Sequence, residues 1–350
     1  MKAVMIHGVR DVRVAEVPPP DGNGIPVDVS AVGICGSDLH YYLEGGIGAQ
    51  QIRAPFVPGH EFAGRMADDY EPFGLRRGEL VAIDPARPCG VCEWCRRGHV
   101  NLCPHVEFAG APPHGGAMTE RIAVEPHQIH KLPAGMTASE AVMLETLGVS
   151  LHAIDLARPQ LLESVAVIGC GPVGLCAVQL LRNAGVGAIM AVDPVGYRAD
   201  AAAAMGATHS AGSHAAIADW TGGRGADLVI EATNAPQGFQ LAAEAARIGG
   251  RVVLVGIPEG NVYTLTADVC RRKGLGIKFS RRMGDVYPRT IRLAAEGRVD
   301  LNAVVSHRVP LAEAPAAFAM QAEYRDHALK TLVCPNGVEP EPRDTASPAR

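Results

Sequence analysis

Four cysteines crowd one stretch, Cys89-Gly-Val-Cys92-Glu-Trp-Cys95-Arg-Arg-Gly-His-Val-Asn-Leu-Cys103. The spacing C-x2-C-x2-C-x7-C lets a compact loop close four thiolates around a tetrahedral Zn2+. Such a site is coordinatively complete and zinc has no redox chemistry, so this metal would fold its segment and not react. Structural zinc contributes about 10–16 kcal/mol in small peptides, enough to replace a core in so polar a lobe. An iron–sulfur cluster is the competing use of four cysteines, but no other electron-transfer feature accompanies them. The odd total of nine cysteines argues against a disulfide framework. So does the opening Met1-Lys-Ala-Val-Met-Ile-His, which turns polar too early for a signal peptide. The expectation is a soluble cytoplasmic protein.

A catalytic zinc would instead need about three protein ligands and an open position. Candidates stand upstream. Cys35-Gly-Ser37-Asp-Leu-His40 offers a thiolate, and Gly59-His60-Glu61 offers an imidazole beside a carboxylate. Taken separately, a free cysteine is as readily a core residue and a His-Glu pair as readily a loop.

Gly169-Cys-Gly171-Pro172-Val173-Gly174 lies between a strand-like and a helix-like run. Gly169 permits the tight turn, Gly171 the close approach of backbone to a pyrophosphate, and Gly174 close helix–strand packing, with the helix N-terminus facing the anion. Asp193, nineteen residues past Gly174 at the end of the next apolar run, is placed to accept hydrogen bonds from the adenosine ribose. A carboxylate there repels a 2'-phosphate, which favours NAD over NADP. Arg198, five residues on, either stacks on the adenine or is a solvated helix residue.

These motifs need elements to carry them. At 350 residues, two domains are expected. Up to about Ala153 short β-like runs such as Val27–Val32 and Glu79–Ile83, broken by glycine and proline, predict loops and small strands without long helices. From Ser164 strands and helices of about ten residues alternate, which predicts parallel βαβ units and a doubly wound α/β sheet. The proline- and glycine-rich tail from Pro335 predicts a loose terminus. The apolar run Val165–Leu181 is interrupted by glycines, Pro172 and Gln179 and is no membrane span. Net charge is -5 without blocks of like charge, so neither nucleic acid nor an anionic membrane surface is an expected partner. The expected partner is a small molecule.

Together, in order and spacing, these residues resemble the zinc-dependent medium-chain dehydrogenase/reductase superfamily over nearly the whole chain. Within it, Cys35-Gly-Ser-Asp-Leu-His-Tyr41 and Leu144-Glu145-Thr-Leu-Gly-Val-Ser-Leu-His152 are most similar to the sorbitol (polyol) dehydrogenase branch. The resemblance implies a GroES-like β-rich catalytic domain over residues 1–155 and 291–350, with a structural zinc lobe at 89–103, and a Rossmann domain over 156–290. It implies two zinc ions per chain, NAD as cofactor, an alcohol substrate and a homodimer or homotetramer. Cys35 and His60 become zinc ligands, and Glu61 and Glu145 are both expected at that metal, as ligand or as hydrogen-bond partner of its water. Ser37 and His40 become the proton relay, which in the family runs through the nicotinamide ribose. The strand-like Arg251–Ile257 is offered as a sheet extension across a dimer.

The match departs in two places. Arg282 falls at the arginine of the branch's Phe-Arg-Tyr motif and is assigned to cofactor or substrate, but Arg281 and Met283 replace its neighbours, and Thr146 replaces a proline beside Glu145. The expected reaction is oxidation of a secondary alcohol, a polyol or sugar alcohol, to a ketone. The alternatives are a 3-hydroxy amino acid dehydrogenase such as threonine 3-dehydrogenase and a non-catalytic nucleotide-binding relative, which the presence of Cys35, His60, Glu61 and Ser37 opposes.

Overall fold

The strand Ile25–Gly33 buries Val27, Val29 and Val32 and runs through the middle of a seven-stranded sheet in the computed structural model, which describes residues 1–20 and 24–341. Its neighbours are the antiparallel strands Glu61–Met66, Arg121–Val124 and Lys330–Cys334. Residues far apart in the chain thus share one sheet, and the C-terminal strand inserts beside the strand that leads to Cys35. The second sheet holds six parallel strands in the spatial order His209–Ala211, Ala188–Val192, Ser164–Ile168, Ala226–Glu231, Ala246–Leu254, Gly276–Phe279. The order reverses direction between Ser164–Ile168 and Ala226–Glu231, the topological switch point where such sheets bind nucleotides. Its inner strands Ser164–Ile168 and Ala188–Val192 are nearly continuous apolar runs because helices cover both faces.

The expectation of loops and small strands before Ala153 fails at Ala138–Ala157, a helix of 20 residues. It is buried nearly all round, from Ala138 through Ala157, so it lacks the polar stripe that reveals an amphipathic helix. Its start was nonetheless written in the sequence as a capping box: Glu140 N–H donates to Thr137 Oγ1 at 3.1 Å, and Thr137 N–H donates to the Glu140 carboxylate at 2.7 Å. This helix packs against Tyr287–Ala295. Both expected domain boundaries, 155/156 and 290/291, therefore fall inside helices that join the two sheets.

Two further expectations are corrected. The strand Ala246–Leu254, which contains the start of Arg251–Ile257, is paired in parallel on both sides and has no free edge to offer a second copy. The edge on that side is Gly276–Phe279. Nor is the tail loose from Pro335: Asn336 Nδ2 donates to the Glu120 carbonyl at 2.7 Å, Glu339 pairs with Arg65 at 2.6 Å and Glu341 with Arg308 at 2.6 Å. The remainder of that expectation, 342–350, lies outside the described residues. No helix among the described residues is long and apolar enough to cross a membrane.

Where the two sheets meet, His130 lies flat on Tyr287, ring centroids 4.2 Å apart and 5° from parallel, and the tyrosine hydroxyl donates to the Ile83 carbonyl at 2.8 Å. Burial pushes the His130 imidazole down to about 4. The unfolded chain, with an ordinary value near 6.5, binds this proton between about pH 6.5 and 4 while the folded chain does not. Stability is then lost as pH falls through that window, by up to about 3 kcal/mol. The expected result is a melting temperature that drops from pH 7 to pH 4.5 less steeply in His130→Phe than in the wild type; parallel curves would contradict it.

Candidate active site

Cys35 caps the helix Gly36–Glu44, where the central strand ends. Asp38, in the first turn and wholly buried, accepts Cys35 N–H at 2.9 Å with one oxygen and Gly59 N–H at 3.2 Å with the other. One carboxylate thereby ties together the two turns that carry Cys35 and His60. Asp38 Oδ1 also stands 3.9 Å from His60 Nδ1, and Ser37 Oγ stands 3.4 Å from His60 Nε2.

Ligand atoms of Cys35, His60 and Glu61 lie within 4.8 Å of one another. Thiol, imidazole and carboxylate are the donor set of a catalytic zinc. Burial, and next the Glu61 charge, push the Cys35 thiol well above its ordinary range, a strain that a bound dication would relieve. The residues therefore fit the metal. Lys330 Nζ meets Glu61 Oε1 at 2.8 Å and Oε2 at 2.5 Å and donates to the Ile34 carbonyl at 3.2 Å, while Thr146 Oγ1 donates to Glu61 Oε1 at 3.1 Å. Burial opposes charge on Glu61, yet Lys330 and then His60 hold its carboxyl below the usual range. Glu145 is buried beside this set but is not one of the three converging residues; burial, against the pull of His60, pushes its carboxyl up to about 7.

The sulfurs of Cys89, Cys92, Cys95 and Cys103 form a second group within 4.8 Å. Backbone N–H groups point at them, Cys89 N to Cys103 Sγ at 3.4 Å and Cys95 N to Cys92 Sγ at 3.5 Å. N–H donors from Val91 and Cys92 hold the Cys89 thiol down to about 6. A Cys89 thiolate stabilised in this way is a ready ligand.

The glycine-rich turn joins Ser164–Ile168 to the helix Pro172–Asn183 at the switch point. Gly169 has φ 93°, and a Cβ there would meet the Ala232 carbonyl oxygen at 2.7 Å; a Cβ on Gly174 would sit 1.9 Å from the Gly169 oxygen. Neither position accepts a side chain. Asp193 is buried and accepts Cys170 N–H at 2.8 Å and Val195 N–H at 2.9 Å. It braces the turn, and a carboxylate's four lone-pair sites leave two for a ligand.

Two family models match the chain, an alcohol dehydrogenase GroES-like domain over residues 21–134 and a zinc-binding dehydrogenase over 172–296. A sorbitol dehydrogenase of Bacillus subtilis (strain 168) is 34% identical over 346 residues, covering 96% of this chain and 98% of its own. The chain belongs to the zinc-binding alcohol dehydrogenases. A probable D-xylulose reductase A of Aspergillus terreus is 33% identical over 349 residues, covering 96% and 98%. Among solved structures, an alcohol dehydrogenase of Escherichia coli CFT073 complexed with NADH superposes with a TM-score of 0.85 at 26% identity, covering 95% of this chain and 99% of that one. Zinc and a nicotinamide cofactor belong to the family.

Within the dehydrogenase fold the two arginines expected near cofactor or substrate make contacts that the sequence does not show. Arg198 is half-buried: its guanidinium lies 4.6 Å over the Tyr324 ring and borders Gly171. Arg282, expected at the cofactor or substrate, donates to the Asn101 carbonyl at 3.0 Å and lies 5.1 Å over Phe108, whose ring is 5.2 Å from that of His60. It therefore stands beside the metal-ligand group and clamps the four-cysteine lobe against it. Sequence reasoning missed Lys330 and Phe108. A single lysine on a C-terminal strand has no spacing signal, but its place among Lys330-Thr-Leu-Val-Cys334, all buried, marks a charge needing a partner.

Proposed function

We propose that this dehydrogenase oxidises a secondary alcohol, a polyol or sugar alcohol, to the ketone and transfers the hydride to NAD. The observation that carries the reading is the convergence of Cys35, His60 and Glu61 beside Ser37. Its relatives named for sorbitol and D-xylulose supply the substrate class. Cys35, His60 and Glu61 would hold a catalytic zinc and Cys89, Cys92, Cys95 and Cys103 a structural one, two per chain. When bound, the catalytic zinc supplies Lewis acidity that makes a hydroxyl acidic near neutral pH, as it brings water from 15.7 to about 7.

The protein's own groups do the rest. Asp38 and Lys330 hold His60 and Glu61 in place, and Glu145 is the acid beside the substrate position. Ser37 takes up the hydroxyl proton and His40 is its destination. Asp193 selects NAD and Gly169, Gly171, Pro172, Val173 and Gly174 form the turn under the pyrophosphate. The catalytic domain comprises residues 1–155 and 291–350 and the NAD domain 156–290, with the cleft between. The unpaired edge Gly276–Phe279, with Phe279, Val262 and Tyr263 exposed, suits a homodimer or homotetramer. Nine unpaired cysteines suit the cytoplasm.

An NAD-reduction screen of the zinc-loaded enzyme over polyols, simple secondary alcohols and threonine tests the reading; turnover confined to threonine would replace it. For the cofactor, Asp193→Ala is expected to lower kcat/KM with NAD about 10–100-fold, the worth of a charged hydrogen bond, while the value with NADP falls less or rises. Equal losses with both would remove Asp193 as the selector.

A further inference from the structure

Glu44 ends the helix that begins beside Cys35, one turn beyond His40 and on the same face. Its Oε1 is hydrogen-bonded to His40 Nδ1, and its Oε2 accepts the Gly260 N–H at 3.0 Å. Gly260 lies in the segment that follows the strand Ala246–Leu254 of the parallel sheet. The other ring nitrogen, His40 Nε2, stands 3.1 Å from the carbonyl oxygen of Ile257 in the same segment.

We propose that Glu44 is the positioning residue for His40, fixing which of its nitrogens is the base. A carboxylate only accepts hydrogen bonds, so Nδ1 must carry the hydrogen. In the neutral ring Nε2 is then a lone pair, aimed at a carbonyl oxygen that cannot donate to it. The neutral ring is left with an unsatisfied acceptor, which a donating hydroxyl or an arriving proton satisfies. Once Nε2 binds a proton, the imidazolium donates through both nitrogens, to Glu44 and to Ile257. The pair thus directs uptake to Nε2, the role a relay terminus needs. Burial opposes charge on Glu44, but the Gly260 N–H and His40 hold its carboxyl below the usual range, so it is a carboxylate at neutral pH. The proton lost by the alcohol arrives at Nε2 and leaves from Nε2 to water, while Glu44 keeps the Nδ1 hydrogen in place, so each cycle ends with the tautomer and the charge it began with.

The inference rests on the reading of His40 as the relay terminus, and the test separates the two. The variants His40→Gln, Glu44→Gln and the double variant are compared as zinc-loaded enzymes with NAD and the best alcohol from the screen, kcat and both KM values being measured. Glu44→Gln is expected to lower kcat about tenfold, a part of what a general base contributes, with both KM values within about twofold. The double variant is expected to be no slower than His40→Gln, because the effect of Glu44 runs through His40. If His40→Gln slows turnover and Glu44→Gln does not, or if the two losses multiply, the positioning role is overturned while the relay stands. An unimpaired His40→Gln enzyme would overturn the relay itself.

Discussion

Cys35→Ala is expected to abolish turnover, by about a thousandfold or more, and to lower zinc from two ions per chain to one. The remaining ion should be the one held by Cys89, Cys92, Cys95 and Cys103, whose sulfurs converge independently of Cys35. The fold should survive, because Asp38 bonds the backbone N–H of residue 35 and not its side chain, and that bond is indifferent to the substitution. Metal analysis together with a melting curve checks this. Cys95→Ala is the contrasting case. It removes one wall of a complete tetrahedral site, so lobe folding should fail before chemistry does. The lobe also presses Phe108 toward His60, so its collapse would reach the active site through packing. Retained turnover in Cys35→Ala, or a well-folded Cys95→Ala variant deficient only in turnover, would reverse the two assignments.

The second large effect concerns stability. Lys330→Met removes a cation bonded to both oxygens of Glu61, with each side chain of that pair 2% exposed. Forming such a pair gains little net energy, because desolvating two charges consumes most of the attraction. Breaking it is another matter. A carboxylate left alone in the interior costs about 3–5 kcal/mol, and the expected fall in melting temperature of the metal-free protein is roughly 5–10 °C. Bound zinc should recover part of the loss, since a dication can replace the ammonium as partner of Glu61. Lys330→Arg, which keeps the charge but not the fit, should fall between. A metal-free Lys330→Met protein that melts like the wild type would show that the pair does not hold the strand in place.

Most of the candidate site was legible because residues for chemistry of this kind are spaced. Thiolates that share a metal must sit on one short loop, and a pyrophosphate turn must have its glycines at fixed intervals. Cys89 to Cys103 and Gly169 to Gly174 were therefore readable from local order alone. The parallel sheet was readable for a similar reason, since each strand and helix from Ser164 onward is a local apolar pattern. What escaped was set by long-range packing. The helix Ala138–Ala157 is apolar on every side and has no period to detect, although Thr137 and Glu140 announced its start. Lys330 acquires meaning only beside Glu61, 269 residues away in the chain. The tail to Glu341 was misjudged because its composition suggests a loose end, whereas Glu339 and Glu341 find Arg65 and Arg308, partners no local pattern predicts.

The insertion of Lys330–Cys334 beside the strand that leads to Cys35 sets an order of events during synthesis. Cys35, His60 and Glu61 leave the ribosome first, but the lysine that neutralises Glu61 and the strand that completes the central pairing follow only 269 residues after Glu61. The intervening parallel sheet, whose six strands all come from residues 164–279, has every pairing partner available before then. The parallel sheet can therefore fold on the nascent chain, while the seven-stranded sheet waits open for Lys330–Cys334, and Glu61 stays without its lysine until then.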